Sequence, residues 1–293
     1  KLGFRRSWLA WSVAIVAALS LPLGLLQVTA GSFFYVYEIR DFGLYTGPFA
    51  NAAHLALLLV VAVPLLLALY QTAASRQASE GDIYRQKLLV LLALLAVVSG
   101  LILSASLTAL ALFVPALLAC VAMFRRRKRR ISRFWALPLG LLTFLYVGAA
   151  SFTSFQNAYI WEETIAGPDS RHGAIGTSIA AAVDFLPLGS GIGPFADIYR
   201  RYEETGAVDR TYLNHAHNDY VELLFETGLP GLALIIVFLL WWGRRVQAIW
   251  LSNESGPLQR AATIASAAIL VQSAVGYPLR TAALSAVLAA CCA

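Results

Sequence analysis

Long apolar runs recur along this 293-residue chain, and they limit its fold more than any other feature. A helix needs roughly 20 such residues to cross a bilayer. Seven runs approach that length and a partial eighth ends the sequence, at about 8–28, 50–70, 88–103, 107–124, 134–155, 229–242, 261–277 and 281–293. Only 13% of the residues are charged, against roughly 25% in a soluble domain. The sequence therefore predicts an all-α, polytopic membrane protein.

The strong basic flanks of these runs all fall on one side of the membrane in a single orientation. If the N-terminal Lys1 and Arg5 are cytoplasmic, the cluster at 125–133 and the pair Arg244 and Arg245 fall on the same side, as the positive-inside rule requires. The net charge of +6 is thus explained by topology, and nucleic-acid binding is not expected. We expect three regions: transmembrane helices at 1–155, a periplasmic loop with short helices at 156–228, and transmembrane helices at 229–293.

The loop at 156–227 is the candidate functional region. Connections this long are uncommon in compact proteins unless they are functional, and this one carries three of the four histidines. Gly173–Phe185 predicts a short amphipathic or partly buried helix. It is followed by a glycine-rich segment, Pro187–Phe195, whose glycines permit tight turns and close approach to a ligand.

A second helix is expected at the end of this loop. Asp219 and Glu222 match a capping box, and Gly228 is expected to end the helix. His217 and Asn218 then precede its N-terminus, where the helix dipole disfavours an imidazolium and favours bound anions. His217 should therefore be largely neutral at pH 7 and is a candidate general base.

The residues alone leave simpler roles open for this region. His217 could equally be a capping or packing histidine, and Asn218 could be only the N-cap. His215 and His172 are interpreted as ordinary loop histidines. The glutamates Glu222 and Glu226, four residues apart on one helix face, are expected to pair with loop arginines.

Four motifs occur in order along the chain. The most specific consists of His217 and Asn218, nine residues, Gly228, two residues and Gly231. The others are Gly47–Asn51, Pro187–Phe195 and Tyr277–Arg280. Together they resemble the O-antigen ligase and O-antigen polymerase superfamily of bacterial membrane glycosyltransferases. Such proteins typically have about twelve spans with the large loop after the ninth, so the resemblance implies that four further spans precede this sequence.

The resemblance implies transfer of a glycan from an undecaprenyl-diphosphate carrier to an acceptor hydroxyl, with inversion and without a metal or other cofactor. The reaction would take place on the periplasmic face of the bacterial inner membrane, with the carrier glycan, an acceptor glycan or lipid, and membrane lipids as partners. His217 would be the base, with Asn218 beside it. The residues expected to bind the diphosphate or substrate are Arg171, Arg200, Arg201, Arg280, Gly191 and Gly193.

One position departs from the family pattern. Leu107 stands where the family commonly has an arginine that ligases need, which slightly favours a polysaccharide polymerase. Ligase, polymerase and protein-glycosylating members share the other motifs, so the acceptor stays open. Two other classes also stay open: a non-catalytic membrane scaffold, and a polysaccharide lipid transporter, although the spans hold almost no charged residues of the kind that transporters use.

Overall fold

A computed structural model describes residues 6–37, 45–73, 79–125, 171–203 and 213–293. Within these ranges the structure is helical and contains no strand, which confirms the all-α fold class. The helices are α1 (Arg6–Ala30), α2 (Ala52–Ala73), α3 (Glu80–Leu103), α4 (Leu107–Arg125), α5 (Arg171–Asp184), α6 (Phe195–Tyr199), α7 (Asp219–Leu251), α8 (Pro257–Gln272) and α9 (Ala282–Cys292). Short 3₁₀ helices lie at Ser32–Phe34 and Pro278–Arg280.

Five of these helices, α1 to α4 and α7, are long and apolar enough to cross a membrane. They confirm a multi-pass membrane protein, and they match the predicted runs at 8–28, 50–70, 88–103, 107–124 and 229–242. The predicted run at 134–155 lies outside the described residues, as does the loop from 156 to 170. The predicted short helix at Gly173–Phe185 is α5.

The predicted span at 261–277 is shorter than expected. Helix α8 has 16 residues and ends at Gln272, and that it crosses the membrane stays a prediction. The chain leaves the helix here because two carbonyls beyond it bind elsewhere: Ser273 O and Gly276 O accept the N–H of Asp219 at 2.8 and 3.2 Å. The last run forms α9, an apolar helix of 11 residues.

The described residues belong to two compact units. The first comprises Lys1–Thr153, Ile249–Ile269 and Ala286–Ala293, and its central element is α2. This helix is apolar on all sides and packs against α1, α3 and α4, as expected for a helix buried among others. The outer helices α1 and α3 keep large apolar side chains exposed, including Leu19, Leu25, Leu89 and Leu92, which suits contact with lipid.

The buried side chain of Gln27 on α1 organises the entry to α2. Its Nε2 donates to Gly47 O at 2.7 Å, and its Oε1 accepts the N–H of Gly47 at 2.8 Å. Gly47 has a φ of 58°, a conformation that glycine adopts readily. Four residues later Asn51 caps α2, with its Oδ1 accepting the N–H of Ala53 at 2.8 Å. The motif Gly47–Asn51 thus turns the chain into a spanning helix.

The second unit comprises Ser154–Ala248 and Leu270–Ser285. Its core joins α5, α6 and the first turns of α7. Phe195 on α6 meets Phe225 on α7 edge to face at 5.2 Å between ring centroids. The fully buried members of this core are Ala181, Ala182, Phe195, Tyr199, Ala216 and Phe225. All the predicted site residues in the described ranges belong to this unit.

Candidate functional site

Helix α7 begins at a cap formed by Asn218. The side-chain Oδ1 of Asn218 accepts the N–H groups of Tyr220 and Val221 at 3.0 and 3.1 Å, which is N-cap geometry. Its Nδ2 donates to Ala274 O at 2.9 Å, so the same side chain ties α7 to the segment after α8. The predicted capping box of Asp219 and Glu222 is therefore wrong: Asp219 is the first helical residue, and both carboxylates bind other partners.

Three buried carboxylates of α7 surround the guanidinium of Arg280. Asp219, Glu222 and Glu226 lie at spacings of three and four residues, which places them on one helix face. Arg280 Nη2 lies 2.7 Å from Glu226 Oε2, and its Nε lies 3.4 Å from Glu222 Oε1 and 3.9 Å from Asp219 Oδ1. The three carboxylates are at most 6% exposed. The glutamates thus pair with Arg280. This arginine links the 3₁₀ helix at Pro278–Arg280 to α7.

Burial and charge act in opposite directions on Arg280. Burial disfavours the charged guanidinium, but the hydrogen bond with Glu226 and the charges of Glu222, Glu226 and Asp219 together raise the pKa of Arg280 above its ordinary value. The cluster carries a net charge of −2 when all three acids are ionised. The guanidinium charge is therefore already balanced within the protein. In the described part of the chain, no group of His, Cys, Asp or Glu side chains is placed to hold a metal ion.

The rings of His215 and His217 both contact the ring of Tyr277. The ring centroids of His215 and Tyr277 are 4.6 Å apart, and those of His217 and Tyr277 are 5.1 Å apart. His215 Nδ1 is 2.8 Å from Glu222 Oε1, and Glu222 Oε2 accepts the N–H of Ala216 at 2.9 Å. His217 itself has a φ of 52°, an uncommon conformation outside glycine that occurs often at functional sites.

The glycine-rich segment binds the point where α7 is interrupted. Gly228 has non-helical φ and ψ of 61° and −147°, and Pro230 has no N–H to give to the carbonyl of Glu226 four residues earlier. Gly191 N supplies that missing donor at 2.9 Å, and Ser190 N bonds to Phe225 O at 2.9 Å. A third hydrogen bond runs in the other direction, from Leu229 N on α7 to Pro187 O of the segment, at 2.8 Å. The predicted end of a helix at Gly228 is thus a break between two helical segments.

Two of these glycines were predicted to bind substrate, and the structure gives both N–H groups a protein acceptor. Gly191 N bonds to the backbone of Glu226, and Gly193 N donates to Glu226 Oε1 at 2.8 Å. Their geometry supports a structural role, in which Gly191 holds the Glu226 backbone and Gly193 orients the Glu226 carboxylate. Contact with the carrier stays a prediction for both residues.

We expect Gly228→Ala to destabilise the protein by about 3 kcal/mol, because its backbone conformation is strained for any L-residue. The added Cβ would also collide with Pro187 O and Gly189 N. The matched control is Gly243→Ala in the same helix, where a Cβ meets nothing within 4 Å and alanine favours helix. Thermal unfolding in lipid nanodiscs measures both; equal midpoints for the two variants would contradict the interlocked backbone.

The other predicted site residues lie elsewhere in this unit. Arg171 is the first residue of α5. Arg200 and Arg201 are exposed and follow α6, and Arg200 Nη1 is 4.0 Å from Asp197 Oδ1. The structure therefore joins His217, Asn218, Arg280, Gly191 and Gly193 through a chain of contacts. The two exposed arginines follow α6 in the same unit.

The sequence interpretation missed the roles of two residues at this site, His215 and Tyr277. His215 was expected to be an ordinary loop histidine, although it binds a buried glutamate, and Tyr277 was noted only as part of a motif. Asp219, Glu222 and Glu226 carried a usable signal, because three acids on one face of an otherwise apolar helix require a cationic partner. Arg280 follows a buried proline near the end of the chain, and sequence spacing alone does not bring it to α7.

Comparison with known proteins adds one finding. The family described as O-antigen ligase matches residues 88–236, just over half of the chain. The match includes α3 from residue 88 onward, α4, α5, α6, and His217 and Asn218 with the interrupted part of α7. No curated protein matches the chain.

Proposed function

The chain belongs to the O-antigen ligase family, a family of membrane enzymes that transfer glycans, and on that basis we propose that it moves a glycan from an undecaprenyl-diphosphate carrier to an acceptor hydroxyl. The observation that supports this most is the position of His217. His217 directly precedes the capped helix α7, and its imidazole contacts the ring of Tyr277. The half-buried imidazole of His217 can therefore reach an acceptor hydroxyl and take up its proton.

The proposed reaction is a single displacement at the anomeric carbon. His217 takes the proton of the acceptor hydroxyl while the hydroxyl oxygen bonds to the anomeric carbon. The bond from that carbon to the carrier phosphate breaks, and the electron pair leaves with the lipid diphosphate. One displacement inverts the anomeric centre. Since a diphosphate is a good leaving group, the step needs no protein acid to protonate it.

The charge of the buried cluster bears on where the diphosphate binds. A net charge of −2 around Arg280 repels an anion, and the three carboxylates already occupy the guanidinium. Arg200 and Arg201 are exposed instead, and arginine forks suit phosphate oxygens. We therefore place the diphosphate on Arg200 and Arg201 with Arg171, and the acceptor beside His217.

The acceptor of the glycan is inferred from the residue at position 107. Leu107 begins α4 directly after the turn at 104–106, at the position where ligases of this family have an arginine. An acceptor that needs no cation there suits a growing polysaccharide chain better than an anionic lipid. We therefore propose polymerisation of repeat units, on the periplasmic side of the inner membrane, as the favoured form of the reaction.

A binding experiment tests the donor assignment. Arg200→Ala combined with Arg201→Ala should weaken binding of an undecaprenyl-diphosphate glycan about tenfold or more, because charge-assisted hydrogen bonds to phosphate are lost. Binding of the uncharged undecaprenol should change little. The control is Arg244→Ala, an exposed cation near the far end of α7, about 37 Å along the helix from Asp219. Equal losses for both ligands would show that the two arginines are structural and would contradict the assignment.

A further inference from the structure

Helix α5 buries small side chains and exposes large apolar ones. Ser178, Ala181 and Ala182, which are small, are fully buried against the core of the second unit. The larger Ile179 and Val183 lie on the opposite face, 44% and 60% exposed. A helix that faces water normally buries its large apolar residues and exposes polar ones. The exposed face of α5 therefore fits an apolar environment.

The glycine-rich segment that follows α5 also exposes large apolar side chains. Leu186, Leu188 and Ile192 are exposed, with Leu188 at 72% and Ile192 at 82%. The one charged residue between positions 175 and 193 is Asp184, and its Oδ2 accepts the Tyr202 hydroxyl at 2.9 Å. We call the five residues Ile179, Val183, Leu186, Leu188 and Ile192 the loop apolar face. Contiguous exposed apolar patches of this kind mark an interaction surface.

A backbone hydrogen bond connects this face to a spanning helix. Pro187 O accepts the N–H of Leu229 at 2.8 Å, and Pro187 lies between two members of the loop apolar face. Leu229 begins the apolar part of α7 and is itself 49% exposed. Below it, α7 exposes Leu234, Val237 and Leu240, as expected of a helix in contact with lipid. The loop apolar face thus adjoins the end of a lipid-facing surface.

We propose that the loop apolar face inserts into the outer leaflet of the bilayer and holds the loop against the membrane. The occupant of the surface is lipid, since a backbone hydrogen bond joins Pro187 to Leu229 at the start of the lipid-facing part of α7, and the five residues of the face are all apolar. This anchoring does not depend on the proposed glycosyl transfer. Insertion places the glycine-rich segment Pro187–Phe195 at the level of the lipid headgroups. Gly191 of this segment binds the Glu226 carbonyl, and a lipid-linked substrate would present its polar end at the same level.

Lipid-dependent fluorescence quenching tests this insertion. Cys120, Cys291 and Cys292 are replaced by alanine in the full chain, and single cysteines at positions 188 and 192 are labelled with an environment-sensitive nitrobenzoxadiazole dye. The matched control is a label at position 197, where the Asp197 side chain is 82% exposed. Labels are compared in proteoliposomes of phosphatidylethanolamine and phosphatidylglycerol, with and without doxyl-labelled lipid.

We expect doxyl lipid to quench positions 188 and 192 roughly threefold more than position 197, because an interfacial apolar face is buried by about 5–10 Å. Aqueous iodide should show the opposite order. Strong iodide quenching at 188 and 192 without quenching by doxyl lipid would overturn the proposal. Protection from both quenchers would also overturn it, since the face would then be covered by protein. The label sites at 188 and 192 are exposed in the fold, so labelling them leaves the core intact, and the substitution of the buried Cys120 is common to all the labelled proteins and the control.

Discussion

Replacing His217 with alanine should lower the rate of glycan transfer by roughly two to four orders of magnitude, the usual cost of losing a general base. Binding of the carrier should survive, since the diphosphate is assigned to arginines and not to the imidazole. The fold should also survive, because the cap of α7 is made by Asn218 and not by His217. Single-turnover transfer by the reconstituted full-length protein, with carrier binding measured in parallel, separates these effects.

The neighbouring histidine needs a carefully chosen control. His215→Ala would leave the buried Glu222 without its 2.8 Å partner, so it would test stability as well as catalysis. His215→Gln keeps a side chain that can donate to Glu222 and should cost far less activity than His217→Ala. If His217→Ala keeps wild-type turnover, the assignment of the base is wrong. If His215→Gln, correctly folded, loses as much activity as expected for His217→Ala, the base is His215, which Glu222 orients.

Replacing Arg280 with alanine should destabilise the protein by roughly 3–5 kcal/mol, the cost of leaving buried charges without their partner. The substitution would leave Glu222 and Glu226 facing each other within the fold, both at most 3% exposed. The link from the 3₁₀ helix at Pro278–Arg280 to α7 would be lost as well. Thermal unfolding in nanodiscs at neutral pH measures the loss, and transfer activity should fall with it.

Two further variants serve as controls for the loss of stability expected in Arg280→Ala. Arg200→Ala removes an exposed arginine that lies 4.0 Å from Asp197, and surface pairs of that kind contribute about 0–1 kcal/mol. Adding Glu226→Gln to Arg280→Ala should recover part of the stability, since it removes one of the unpaired charges. An Arg280→Ala protein as stable as Arg200→Ala would show that the carboxylate cluster does not hold the two segments together.

The spanning helices could be predicted closely because lipid imposes length and apolarity on a single continuous segment. Helices α1, α2 and α4 begin and end within three residues of the runs read from the sequence. Helix α3 begins eight residues earlier, at Glu80, since its first turns are polar and are capped by Ser79. Helix α8 ends at Gln272, five residues before the end of the run at 261–277, because the carbonyls of Ser273 and Gly276 accept the N–H of Asp219 on α7, and hydropathy does not register such backbone bonds.

Some residues of the candidate site could be predicted from the sequence, and the contacts of others could not. His217 and Asn218 were found because a helix start and a spaced motif mark them in the sequence, and Asn218 does cap α7. The assignment of the cap to Asp219 failed because a carboxylate and an amide are both good N-caps, and only the fold shows that Arg280 and Leu279 engage Asp219. The glycines at 191 and 193 were recognised as turn residues, but their acceptors lie more than thirty residues away on α7.

The break in α7 also fixes the length of the segment that binds it. Pro187, Ser190 and Gly191 each meet a particular backbone group on α7, namely the Leu229 N–H and the carbonyls of Phe225 and Glu226. One residue more or fewer between Pro187 and Gly191 would shift the donors out of register with these acceptors, which are fixed in place by the helix. Surface loops usually tolerate insertions, whereas here the spacing is set by the geometry of a helix end. A comparison of natural variants should therefore find this segment constant in length even where its side chains differ.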